Sequence, residues 1–197
     1  MFQKFLSSEG LFFCELKYFS YLCGMERQGH GFEYQRKMCE RHNLLSDENY
    51  TGMWDAHRLD GIPCVVKTFK ENSELPLSDI FNNADRDKDF YLMYGVWRGK
   101  KSNIVEEKVI FIDIKKWREL FEWKHYEELN HWIKNLVSNS YSYDKTWKSD
   151  MKVWKERWGK DRLVRPRFKR DHKKQRRIQS AVAYKNLNIF LEYVKKK

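Results

Sequence analysis

Trp54-Asp55-Ala56-His57-Arg58-Leu59-Asp60-Gly61-Ile62-Pro63-Cys64-Val65-Val66-Lys67-Thr68-Phe69 decides how this chain is read. Two short extended runs, 50–57 and 62–69, flank Asp60-Gly61. Asp-Gly between two such runs is the signature of a hairpin turn, because glycine accepts the positive φ that a tight reversal needs. The spacing therefore predicts adjacent strands, with Asp55 on one and Lys67 on the other.

Downstream, 89–97 reads Asp-Phe-Tyr-Leu-Met-Tyr-Gly-Val-Trp without a polar break, which predicts a strand buried on both faces. A turn at 98–103 leads to a partner strand over 104–114, so the middle of the chain holds about four strands. Residues 77–83 suggest a short helix, N-capped by Ser78 or begun at Pro76. Upstream, 32–44 has helical spacing, with Phe32, Met38 and Leu45 marking the apolar stripe and Glu33, Arg36, Lys37, Glu40 and Arg41 outward. Residues 11–24 are aromatic and apolar and fit a helix or a strand.

Strand signals vanish after Lys115. Trp117, Leu120, Phe121, Trp132, Ile133 and Leu136 have helical spacings. A further helix over 143–158 carries Trp147, Met151, Trp154 and Trp158 at steps of four, three and four, a stripe that reads as core. Residues 162–168 look extended around Pro166, and a last helix is predicted from about Asp171 to Tyr193.

The chain has 197 residues, with 39 Lys plus Arg against 28 Asp plus Glu. Nineteen of the basic and five of the acidic residues fall in 145–197, a net of +14, which leaves −3 for 1–144. A near-neutral body joined to a strongly basic last quarter points to a polyanionic partner. An aromatic fraction of 16% excludes disorder along the whole chain. No run of 18 apolar residues exists, so no membrane helix is expected. Glu9 and Glu15 break the weakly apolar start, and no secretory leader is expected. Cys14, Cys23, Cys39 and Cys64 lack C-x-x-C spacing, so reduced thiols and a cytoplasmic setting are expected.

A helix glutamate (Glu33), a strand aspartate (Asp55), a turn and a strand lysine (Lys67) form a sensible phosphodiester-hydrolysing set. Carboxylates hold Mg²⁺, which keeps most of its waters. A lysine beside the metal orients the attacking water and stabilises charge on the phosphorane. His57 would share the strand face of Asp55, and Asp60 is assigned to the turn.

At Gly31-Phe32-Glu33-Tyr34-Gln35-Arg36, Trp54-Asp55-Ala56 and Asp60-Gly61-Ile62-Pro63-Cys64-Val65-Val66-Lys67, and more loosely at Asp89–Met93, the chain resembles the PD-(D/E)XK nuclease superfamily, especially small type II restriction endonucleases. The resemblance implies an α/β (α+β) fold: a central mixed sheet of four to five strands flanked by helices. It puts the first acid at Asp55, the lysine at Lys67 and an additional glutamate at Glu33. The second acid would stand two residues before the lysine, where this chain has Val65. Side chains at 65 and 67 share a face, so the metal set becomes Asp55, Glu33, the Val66 carbonyl and water.

The densest basic stretch, 162–179, holds Arg162, Arg165, Arg167, Lys169, Arg170, Lys173, Lys174, Gln175, Arg176, Arg177 and Gln179. Its cations suit phosphates, and arginine and glutamine suit base edges in a major groove. Helical from Asp171, it would array Lys173, Lys174, Arg176 and Arg177 on one side, with Gln175 and Gln179 one turn apart. Two regions are thus expected: a nuclease-like core over 1–144 and a basic helical region over 145–197 packed on it. The functional expectation is a Mg²⁺-dependent, sequence-specific endonuclease of double-stranded DNA, acting as a homodimer. The alternatives are a non-catalytic nucleic-acid-binding protein of the same fold and a structure-specific repair or junction nuclease.

Overall fold

In a computed structural model of the chain, residues 29–47, 53–138, 147–170 and 176–197 are described. The expectations for 11–24, Cys14, Cys23, Lys173, Lys174 and Gln175 lie outside these residues. In order come α1 (Gly29–His42), β1 (Leu45–Ser46), β2 (Ala56–His57), β3 (Pro63–Lys70), β4 (Leu75–Asp79), α2 (Ile80–Ala84), β5 (Phe90–Trp97) and β6 (Ile104–Ile112). Then follow α3 (Ile114–Phe121), α4 (Tyr126–Ser138), α5 (Trp147–Trp158), β7 (Val164–Arg170), β8 (Arg176–Val182), a 3₁₀ turn (Tyr184–Asn186) and α6 (Leu187–Val194).

The hairpin forms at the predicted turn, but its first strand is only β2, so residues 53–55, expected as part of the extended run, lie before it and Asp55 is not on the strand. Ala56 pairs with Cys64 and His57 with Pro63, antiparallel. The reversal closes through Arg58 N–H to the Ile62 carbonyl at 2.9 Å, and Gly61 sits at φ +81°, a region closed to most side chains. Strand β3 then pairs in parallel with β5, from Cys64–Tyr91 to Lys70–Trp97, and β5 pairs antiparallel with β6. The result is a mixed five-stranded sheet in the order β1-β2-β3-β5-β6.

Period two sorts the sheet's side chains onto two faces. Val65, Phe69, Phe90, Leu92, Tyr94 and Val96 enter the larger core, and Cys64, Val66 and Met93 the smaller one. Helix α1 covers the smaller face with Tyr34 and Met38. Gly95 permits that approach, because a Cβ there would lie 2.7 Å from the Tyr34 ring. The stripe of α1 is thus Tyr34, Met38 and Cys39, and Leu45 of the predicted stripe is exposed.

The larger face is covered by helices and by a second sheet in the order β4-β8-β7. Trp117 of α3, fully buried, meets Phe90 edge-on at 5.0 Å. Trp154 and Trp158 of α5 are buried as core, as their spacing predicts. Val164, Ile178, Val182 and Phe190 join the same cluster, so the C-terminal region shares one core with the body.

Two helical expectations are corrected. Residues 176–182, expected to be helical, form β8, the central strand of the second sheet. Ile178, Ser180 and Val182 are buried at period two, and β4 and β7 on either side supply the ladder. Among the described residues of this region, helix is found in the last turns, at α6 and the 3₁₀ turn before it. The helix expected over 77–83 is divided: β4 runs to Asp79, which N-caps α2 by accepting from the Phe81 N–H at 2.9 Å. A bulge between Pro76 and Asp79, with Ser78 at φ +74°, turns the chain from strand to helix.

Candidate functional site

Asp55 lies one residue before β2, and Lys67 lies in the middle of β3. Asp55 Oδ2 accepts from Lys67 Nζ at 2.6 Å and from the Val66 N–H at 2.8 Å. The Asp55 N–H donates to the Cys64 carbonyl at 3.0 Å, which holds the chain against β3 just before β2. Cys64 and Val66 thus direct their main-chain groups toward the Asp55 side. A strand residue's N–H and C=O leave on the same side, so the Val66 carbonyl also faces Asp55.

The Lys67 and Asp55 side chains are 16% and 25% exposed, so water and salt screen the pair less than a surface pair. Oδ2 carries both donors, and the carboxylate retains lone pairs on Oδ1, since an ionised carboxylate offers about four acceptor sites. The pair meets where β3 passes from a buried to a half-buried burial pattern.

Helix α1 reaches the site through Gln35, not Glu33. Gln35 Nε2 donates to the Asp55 carbonyl at 2.8 Å. Glu33 is exposed on the solvent-facing stripe with Arg36, Lys37 and Glu40, and its carboxylate pairs with Lys37 at 2.8 Å. Two helix positions are about 200° apart, so Glu33 and Gln35 leave opposite sides. Among the described residues, no three of His, Cys, Asp or Glu gather closely enough to hold a metal. Val65 is 2% exposed and packs into the larger core. His57 is half-buried in β2. Cys64, on the opposite face from Lys67, has its thiol pushed up to about 11 by burial, and burial together with the Asp55 charge raises Cys39.

One site neighbour was not legible in the sequence. Arg86, 2% exposed, donates from Nη2 to the Met53 carbonyl at 2.8 Å. Its guanidinium lies over Trp54 at 4.6 Å and Phe90 at 4.8 Å. Burial pulls it down to about 9 and the charge of Asp55 opposes that pull, so it stays cationic at neutral pH.

The basic residues divide. Arg162 is used internally: Nη2 donates to the carbonyls of Leu120 at 2.7 Å and Glu122 at 2.8 Å, with the guanidinium over Trp158. On β7, Arg165, Arg167 and Lys169 alternate with Val164, Pro166 and Phe168. Across the ladder they face Ala181, Gln179 and Arg177. Val164 and Ile178 are buried and Phe168 packs on Trp132, so the basic residues and Gln179 occupy the outer face, where they are half-buried and Ala181 beside them is fully buried. Lys169 and Arg177 stand directly opposite, a like-charge pair that is destabilising on its own. Glu74 meets Arg167 at 3.3 Å. Arg170 and Arg176 pair at the turn end of the hairpin.

No described helix is long and apolar enough to cross a membrane. No protein-family model matches the chain, and comparison with curated proteins finds no match.

Proposed function

We propose that this protein is a Mg²⁺-dependent endonuclease of double-stranded DNA, of restriction type, in which Asp55 and Lys67 act on the phosphodiester and the outer face of β7–β8 holds the duplex. The observation that carries the reading is the 2.6 Å contact between Lys67 Nζ and Asp55 Oδ2 across the hairpin. It joins an acid and a lysine twelve residues apart in sequence into one half-buried group. The resemblance to PD-(D/E)XK nucleases gives that group its chemistry.

The donor set fits Mg²⁺ in its sparest form. Asp55 would supply a carboxylate oxygen and Val66 a main-chain carbonyl, which would leave the other positions to water and a substrate phosphate. Bound there, it would acidify a water and offset phosphate charge. Glu33 stays outside this set. Lys67 holds Asp55 in place, orients the attacking water and donates to the phosphorane oxygen as charge builds. Gln35 keeps the Asp55 main chain fixed to α1. Past Gln179, where β4 stops pairing, β7 and β8 continue as a two-stranded ribbon, narrow enough to enter a major groove, and Arg165, Arg167, Lys169, Arg177 and Gln179 are residue types that contact phosphates and base edges. A homodimer follows if the target is palindromic, because the protein's two-fold symmetry then matches that of the DNA.

A second reading, a non-catalytic nucleic-acid-binding protein of the same fold, is favoured by one observation: Val65, buried at 2% exposure, stands where the second acid would be. Incubation of supercoiled plasmid with the protein and Mg²⁺ separates the two. Cleavage that is lost in Asp55→Asn and in Lys67→Met supports the nuclease. Salt-sensitive binding without cleavage supports the second reading.

A further inference from the structure

Arg86 is an expensive residue where it stands. It is 2% exposed, and its Nε and Nη1 have no hydrogen-bond partner among the described residues. Unpaired donors buried this deeply cost free energy, and replacing a buried charge by an apolar side chain of similar volume is often neutral or stabilising. Its surroundings are aromatic: Trp54, Phe90 and Trp117 lie 4.6, 4.8 and 5.6 Å from its guanidinium carbon. Trp54 itself packs on Phe90 at 5.3 Å. The hydrogen bond that Arg86 does make, from Nη2 to the Met53 carbonyl, falls two residues before Asp55.

We propose that Arg86 is a positioning residue for Asp55: anchored among Trp54, Phe90 and Trp117, it clamps the 53–55 segment against the core so that the Asp55 carboxylate meets Lys67 and the Val66 amide. Arg86 does not touch substrate; it acts through Met53 and Trp54. Cation–π contact with three rings holds the guanidinium, and its Nη2 donor holds the chain that carries the acid. Asp55 is thereby fixed from three directions: by Arg86 through Met53, by Gln35 through its own carbonyl, and by Lys67 through its carboxylate. Such support is what keeps a reacting group within about 0.5 Å of its working geometry.

This inference rests on the nuclease reading for its functional meaning, and its test is built to stand without it. Hydrogen exchange is measured at the Asp55 amide, which donates to the Cys64 carbonyl, and at the Val66 amide, which donates to Asp55 Oδ2. Arg86→Met is expected to speed exchange at both amides at least tenfold. The amides of β5 and β6 should stay as protected as in the wild type, and the melting temperature should not fall. Arg86→Lys, which keeps a cation in the cage, should recover part of the protection. In plasmid cleavage, Arg86→Met is expected to lower kcat at least tenfold with KM for DNA unchanged. Unchanged exchange at both amides would overturn the proposal. So would a loss of protection spread over the whole sheet, because that marks a residue that only stabilises the fold. If Arg86→Met does not fold, Arg86→Gln is read by the same amides. Local loosening in a protein whose wild type cuts no DNA would uphold Arg86 as the clamp and remove the nuclease reading.

Discussion

The two sheets of this molecule treat charge in opposite ways. In the five-stranded sheet, Lys67 stands on the larger-core face and is met at 2.6 Å by Asp55, so the charge is neutralised within the fold. In the three-stranded sheet, Arg165, Arg167, Lys169 and Arg177 line the outer face, with Lys169 directly opposite Arg177. Glu74 pairs with Arg167 at 3.3 Å and Asp79 lies near Arg177. The difference teaches where an outside partner acts. In the proposed reading, the paired, half-buried group acts on a phosphodiester brought to it, whereas the basic face holds the polyanion.

The sharpest way to break the comparison is to leave the first sheet's pair half empty. Lys67→Met is expected to lower plasmid cleavage by about 10²–10⁴-fold, the range for loss of a positioned proton-handling group. DNA binding should be unchanged, since the ribbon is intact. Gel-based rates and a filter-binding titration on the same preparation check this; a rate within threefold of wild type would dissociate the pair from catalysis. The next largest effect tests whether the sheets move as one body. Asn83 Nδ2 donates to the Leu77 carbonyl at 2.5 Å and to Ser180 Oγ at 3.0 Å, tying α2 to β8. Asn83→Ala strands these buried acceptors and is expected to cost about 1–3 kcal/mol, read from urea melts. A loss confined to one of two separate transitions would show the sheets unfolding independently.

How much of this was legible in the sequence differs between the same two regions. The first sheet carries local signals: Asp60-Gly61 sets the hairpin, and the unbroken run of Phe90–Trp97 allows only a doubly buried strand. Lys67 falls on the predicted strand, and Asp55 reaches it from one residue before β2 rather than from a strand position. The second sheet carries almost none. Residues 176–182 read Arg-Arg-Ile-Gln-Ser-Ala-Val, and their strand character comes from partners far away: Ser180 reaches Ser78, 102 residues upstream. Tertiary pairing overrides local propensity in such a strand. Arg86 hides for a similar reason. Between Asp85 and Asp87 it resembles one charge in a solvated run, and the rings that enclose it come from three other segments. The resemblance calls for an acid and so points to Glu33, whereas the helix phase presents the Gln35 amide to Asp55.

Neutralising the ribbon tests the other half of the comparison. Arg167→Gln with Lys169→Gln is expected to flatten the slope of log K against log salt by about 0.9 for each phosphate that the ribbon no longer neutralises, with the rate at saturating DNA preserved. An unchanged slope would take the outer face of β7–β8 out of the interface.

The smallest expected effect comes from Val65→Thr, and it bears on which reading of the first sheet holds. Threonine is close to valine in shape, so the packing of residue 65 against the larger core changes little. Its hydroxyl enters a site that is 2% exposed, and an imperfectly satisfied buried hydroxyl costs about 1–3 kcal/mol. Residues 65 and 67 share a strand face, so that hydroxyl points to the side on which Lys67 meets Asp55. In a nuclease whose metal rests on Asp55 and the Val66 carbonyl, one more oxygen on that face should lower the Mg²⁺ concentration for half-maximal cleavage severalfold, while stability falls by that amount. In a binding protein without a metal, stability falls by the same amount and the Mg²⁺ dependence of DNA binding does not move. Since both readings share the stability loss, only the Mg²⁺ titration discriminates, and it locates the metal relative to residue 65 whatever the size of the structural cost.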